Sequence, residues 1–184
     1  MEDRTFIETL AEDRGELVNF PFDVTRTFPF TPIPELEALL DPDIVYDITE
    51  KKAPHYNGKE MKIHMPAREH YFCEYAFYSA AIHEMAHSTK DAGVVRNLFY
   101  DQEEVVAQLV AMTLTREHRD VVWWNLDCTY LKDFLKKATI EYNRRTGQHK
   151  TFDEMRDACM VVARLVIARL RKNAELRQAP ACHG

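Results

Sequence analysis

The chain has 184 residues, of which 46% are apolar and 29% charged, with a formal net charge of −6. That length and balance suit one folded domain with a core of its own, and argue against a fibrous repeat or a disordered chain. The longest apolar stretches, residues 75–82 and 161–170, fall well short of the roughly 20 residues that a membrane span needs, and the acidic charge disfavours long-range attraction to a phosphate backbone.

In chain order, residues 5–18 carry a weak helical pattern. Residues 19–34 hold four prolines and four phenylalanines and read as an extended arm laying its rings on the body. A short helix follows over 34–40, with proline in its first turn. Residues 44–46 read as a strand, residues 54–58 as a turn, and the alternating residues 61–65 as a second strand. Four longer helices are predicted over 70–89, 101–118, 125–143 and 151–176. The last opens on Thr151 and Glu154, three residues apart as in a capping box. The division is an N-terminal arm over 1–50, a main domain over 51–176 and a loose tail over 177–184. The fold class is α+β, mostly α, with a small sheet.

Cys73, Cys128, Cys159 and Cys182 form no Cys-x-x-Cys pair, and no leader is legible after Met1. They read as reduced thiols in a cytoplasmic setting. Arg144, Arg145, His149, Lys150 and the run 169–172 are basic and read as solvated helix ends. No glycine-rich phosphate loop is present.

The chemistry concentrates on the helix over 70–89, which carries His83-Glu84-Met85-Ala86-His87. Four residues of helix bring both histidines to one face, so two neutral imidazoles can reach one ion, with zinc the expected metal. Glu84 is poorly placed to chelate but well placed to take a proton from water as it attacks a carbonyl. A third ligand is needed. Lys90 stands where the longer metzincin motif requires glycine, so the ligand must come from elsewhere. Glu103 and Glu104 on the next helix are candidates, and neighbours about 100° apart cannot both face the ion. Around Glu104 lie Ala107, Gln108 and Ala111: two small residues that allow close helix approach and an amide able to hold a histidine. Glu103 has only Val110 and Leu114 around it, which favours Glu104. For the oxyanion donor, Tyr130, Tyr100 and His118 are candidates. Trp123 and Trp124 read as core anchors, and His55, His64 and His70 as structural or exposed.

These residues resemble the zincin-like metallopeptidase domain of ArdC-type antirestriction proteins. The similarity runs through Tyr56, Met65-Pro66, Tyr71-Phe72, Phe77-Tyr78, the stretch His83-Glu84-Met85-Ala86-His87-Ser88-Thr89, Phe99 and Glu103-Glu104-Val105-Val106-Ala107. A weaker echo continues through Asn125 and Tyr130-Leu131. The resemblance implies a gluzincin-type fold and a zinc metallopeptidase acting on a peptide or protein. It implies zinc on His83, His87 and Glu104, Glu84 as general base and Tyr130 as a catalytic tyrosine. Three departures stand out. The first 50 or so residues are too short for the family's single-stranded DNA-binding module, so weak or no nucleic-acid binding is expected. Gln108 replaces a residue that is usually acidic, and residues 142–150 look inserted. The alternative function is a catalytically silent zinc-containing binding module related to antirestriction or DNA-processing proteins.

Overall fold

The computed structural model describes residues 22–42, 44–46, 53–90, 93 and 97–178. The weak helical pattern over 5–18, Cys182 and residues 179–184 of the expected tail lie outside them. The elements run α1 (Pro34–Glu37), β1 (Val45–Tyr46), β2 (His55–Asn57), β3 (Lys62–Met65), a 3-10 turn (Arg68–His70), α2 (Glu74–Ser88), α3 (Tyr100–Thr115), a 3-10 turn (Arg116–His118), α4 (Val121–Thr146) and α5 (Phe152–Gln178). The chain is rich in helix, with one small sheet. No described helix is long and apolar enough to cross a membrane.

Helix α3 is the central post. It carries Val105, Val106, Ala107, Leu109, Val110, Ala111 and Met112, all buried, and it packs against α2, α4 and α5. A helix apolar around most of its girth must be enclosed on several sides, and three neighbouring helices do this. Helix α5 has one buried stripe, Met155, Cys159, Ala163, Val166, Leu170 and Ala174, at helical spacing, with charged residues outward. Thr151 and Glu154 form the predicted capping box: Thr151 N–H donates to Glu154 Oε2 at 2.8 Å and Glu154 N–H to Thr151 Oγ1 at 3.2 Å. Gly147, at φ +70°, closes α4 in the left-handed region that a side chain resists.

The sheet has three strands in the order β1-β3-β2. β3 pairs parallel to β1 and antiparallel to β2, with Tyr56 opposite Ile63. β2 is therefore an edge strand. Ile63 and Met65 point inward by period-two alternation, and the sheet packs on α2. The phenylalanine-rich arm lies along the start of α2. Phe22 bridges Tyr71, Phe28 meets Phe72 edge-on at 4.9 Å, and Phe30 meets Phe77 at 5.3 Å.

Several boundaries depart from the sequence reading. The helix expected from residue 70 begins at Glu74, because Arg68–His70 forms a 3-10 turn and Tyr71 pairs with the arm. The turn expected over 54–58 is strand β2 for its middle, and the reversal follows it. Asn57 Oδ1 accepts from Lys59 N–H at 3.1 Å there, and Met61 takes a positive φ of 53°. Helix α4 starts four residues before the expected Asn125, capped by Asp120, whose Oδ1 accepts from Trp123 N–H at 3.1 Å. At the far end α5 runs on to Gln178, and Arg177 donates to the carbonyls of Leu39 and Leu40.

Candidate metal centre

His83 and His87 lie one turn apart on α2 and face α3 with their side chains largely enclosed, 12% and 18% exposed. Glu104 comes from the first turns of α3 and is 6% exposed at its side chain. Ala107 and Ala111, both buried, form part of the α3 surface in the core it shares with α2. His83 Nε2 and His87 Nε2 are 3.2 Å apart, His83 Nε2 is 3.4 Å from Glu104 Oε2, and His87 Nε2 is 3.5 Å from Glu104 Oε1. Ligands held about 2.0–2.1 Å from a tetrahedral ion stand about 3.3 Å from one another. Each histidine meets a different oxygen of the carboxylate, and one ligand atom from each of the three residues lies within 4.8 Å of the others, close enough for this group to hold a metal.

Glu103 also borders the cleft, but outside the triad: its carboxylate pairs with Lys90 Nζ at 2.7 Å. Glu84 lies beside the triad on the cleft side, with Oε2 accepting from the backbone N–H of Tyr56 at 2.8 Å. The edge strand β2 thus supplies a main-chain donor to the helix that carries both histidines. Tyr130 donates to Glu104 Oε2 at 2.9 Å. Its hydroxyl is therefore engaged by the carboxylate that faces both histidines. The open side is a cleft of about 510 Å³ lined also by Pro54, His55, Gly58, Lys90 and Tyr100.

Electrostatics divides the two histidines. Burial opposes the charged form of His83, but Glu104, Glu84 and Gln108 outweigh it and raise its pKa. Burial and the charge on His83 push His87 down to about 4. Glu104 is buried too, yet hydrogen bonding and charge from His83, with His87 and Tyr130, bring it down to about 2. Glu84 moves the other way: burial raises its pKa against the pull of His83 and the Tyr56 N–H. A carboxylate raised in this manner is a stronger base than an exposed one. Such opposed shifts in neighbouring carboxylates mark sites where the two groups do different work.

No family model, curated protein or solved structure matches the chain.

The other sequence candidates fall away from the cleft or at its rim. His118 pairs with Glu35 at 2.8 Å, outside it. Tyr100 stands at the rim, 66% exposed, with its pKa raised to about 12 by burial and Glu104. Trp123 stacks on Phe72 at 5.5 Å and packs against the core, as an anchor does. His64 accepts or donates at Glu60 and His70 at the Arg26 carbonyl, whereas His55 lines the cleft. Sequence reasoning did not single out His55 as a cleft residue, the Tyr56 N–H or Asp127. A backbone donor leaves no trace in side-chain spacing, and Asp127 meets its partners across 48 or more residues of chain.

Proposed function

We propose that this chain is a zinc-dependent peptidase of zincin-like fold, similar to the ArdC-type metallopeptidase domain, in which one ion is held by His83, His87 and Glu104. The observation that carries this reading is the convergence of two imidazole nitrogens and the Glu104 carboxylate, with contacts of 3.2 to 3.5 Å, beside a second carboxylate, Glu84, that is held by the Tyr56 N–H instead. Two imidazoles and a carboxylate, with one side open to a cleft, form a donor set that zinc favours for hydrolysis. When bound, the ion supplies Lewis acidity toward a carbonyl and toward water.

The protein's own residues do the rest. His83 and His87 present their Nε2 atoms, and Glu104 brings its charge, already ionised because its pKa is near 2. Glu84 is the general base. Its Oε2 is held by Tyr56 N–H, so Oε1 is the atom that takes the proton from the attacking water and returns it to the leaving amine. Tyr130 steadies Glu104 through its hydroxyl. An extended peptide is the natural occupant of the cleft, because the edge strand β2 forms one wall and such strands accept another strand alongside. The described thiols, Cys73, Cys128 and Cys159, are unpaired, in keeping with a reducing, cytoplasmic compartment.

The test is metal analysis joined to digestion of a broad peptide library. One zinc per chain, with cleavage lost on chelation and restored by zinc, is the expected result. Stoichiometric zinc with no cleavage of any peptide would replace the peptidase with a binding module, and absence of zinc would remove the metal centre.

A further inference from the structure

Helix α5 carries apolar residues on two opposite faces. Its buried stripe, from Met155 to Ala174, packs on α3 and α4. About half a turn round from it runs a second line, Glu154, Ala158, Val161, Leu165, Ala168 and Lys172, at alternating steps of four and three residues. That repeat is the one by which a helix forms a seam with another helix. Yet Val161 is 60% exposed and Leu165 56%, so the middle of the line is uncovered among the described residues.

The line is its own complement when reversed. Val161 and Leu165 flank a midpoint; equally far from it stand Ala158 and Ala168, then Glu154 and Lys172. A second copy of α5 laid antiparallel about that midpoint sets Leu165 on Val161, alanine on alanine and Lys172 on Glu154, each twice. On one flank Asp157 comes opposite Arg171 of the second copy, again twice, and Arg164 meets its own copy near the axis. The acids can take these partners. Thr151 occupies only Oε2 of Glu154, and Arg156 only Oδ1 of Asp157, which stays 70% exposed. Arg164, Arg169, Arg171 and Lys172 have no ion-pair partner among the described residues. The helix dipole favours acids first and bases last on any helix, but it does not leave a valine and a leucine in water between them.

We propose that the outward face of α5 is a two-fold contact surface for a second copy of this chain, with the two helices antiparallel about the midpoint of Val161 and Leu165. The seam from Glu154 to Lys172 is about 27 Å long. A contact along one helix of that length belongs to the small class of interfaces, so the pair exchanges with free monomer. The same residues disfavour the parallel alternative, which sets Asp157 on Asp157 and Arg171 on Arg171. No residue lining the cleft lies on α5, so this surface stands apart from the metal centre.

The test is sedimentation equilibrium of the full chain from about 1 to about 500 μM. Wild type should pass from monomer to dimer across that range. Leu165→Glu puts a charge into the seam twice, once from each copy, and should raise the dissociation constant at least about 100-fold. The side chain is exposed in the monomer, so the fold should survive, which circular dichroism checks. Asp157→Arg and Arg171→Asp should each weaken the dimer about 10-fold, and the two together should restore it. Arg164→Gln removes the like-charged meeting at the axis and should tighten it. A monomer at every concentration, whether water, another segment of the chain or a different protein holds the face, would overturn the proposal. So would a dimer indifferent to Leu165→Glu, or one that the paired Asp157 and Arg171 exchange fails to restore.

Discussion

The backbone N–H of Tyr56 donates to Glu84 Oε2 at 2.8 Å, joining the edge strand of the sheet to the residue between the two histidines. A main-chain donor cannot rotate away as a side chain can, so the carboxylate is held in one pose. Its pKa is still raised from the ordinary value despite this bond, because burial outweighs it.

Glu84→Gln should keep both fold and zinc, since the amide oxygen can still accept from Tyr56. It cannot take a proton, so peptide hydrolysis should fall about 10²- to 10⁴-fold. Metal content and turnover measured on the same preparation check this. Undiminished turnover would remove Glu84 from the mechanism.

The two adjacent glutamates should behave differently. Glu104→Ala leaves only two histidines and should lose zinc at free concentrations that saturate the wild type. Glu103→Ala breaks a pair with Lys90, which is 57% exposed, and should retain zinc with a stability change under about 1 kcal/mol. Equilibrium dialysis followed by thermal unfolding reads both outcomes. The reverse pattern would transfer the ligand role to Glu103.

Tyr130→Phe separates two roles for that hydroxyl. Its donation to Glu104 predicts zinc affinity lowered about 10-fold, with kcat at saturating zinc within a few-fold of wild type. A kcat loss above about 100-fold at saturating zinc would instead mark an oxyanion donor.

Acid should destabilise the metal-free protein through His87. Its folded pKa is about 4, whereas a free imidazole titrates near 6.5. Between these values the unfolded chain binds a proton that the folded site refuses, so stability falls as pH drops from 6.5 toward 4. His83 acts in the opposite sense: its raised pKa gives stability that is present below 6.5 and lost as pH rises through the folded value. His87→Gln removes the first contribution. In the presence of chelator, that variant should lose less stability than wild type between pH 7 and 4.5, measured by denaturant unfolding. A larger loss in the variant would contradict the assignment.

The helices carrying the site were legible because their signals are local. The spacing of His83 and His87, the small residues Ala107 and Ala111 after Glu104, and the box of Thr151 with Glu154 each lie within a turn or two of helix. The start of α4 was legible too, since Asp120 precedes an apolar run, but the Asn125 boundary overlooked that cap. The extended middle of 54–58 was hidden by its Asn-Gly turn chemistry, which in fact ends the strand. Contacts that bridge elements left no such signature. The Tyr56 N–H is a backbone group, and Asp127 is one more acidic residue on a charged helix until α2 is laid against it.

The enclosure of α3 bears on the order in which the protein is made. Glu104 sits on a helix whose apolar girth is covered on one side by α5, the final described element of the chain. While the nascent polypeptide still lacks residues 152–178, Met155, Val166 and Leu170 are not there to cover it. The two histidines emerge about 70 residues before that cover begins. Glu104 too is made before that cover, so all three side chains that could hold a metal are synthesised before the helix that completes the enclosure of α3.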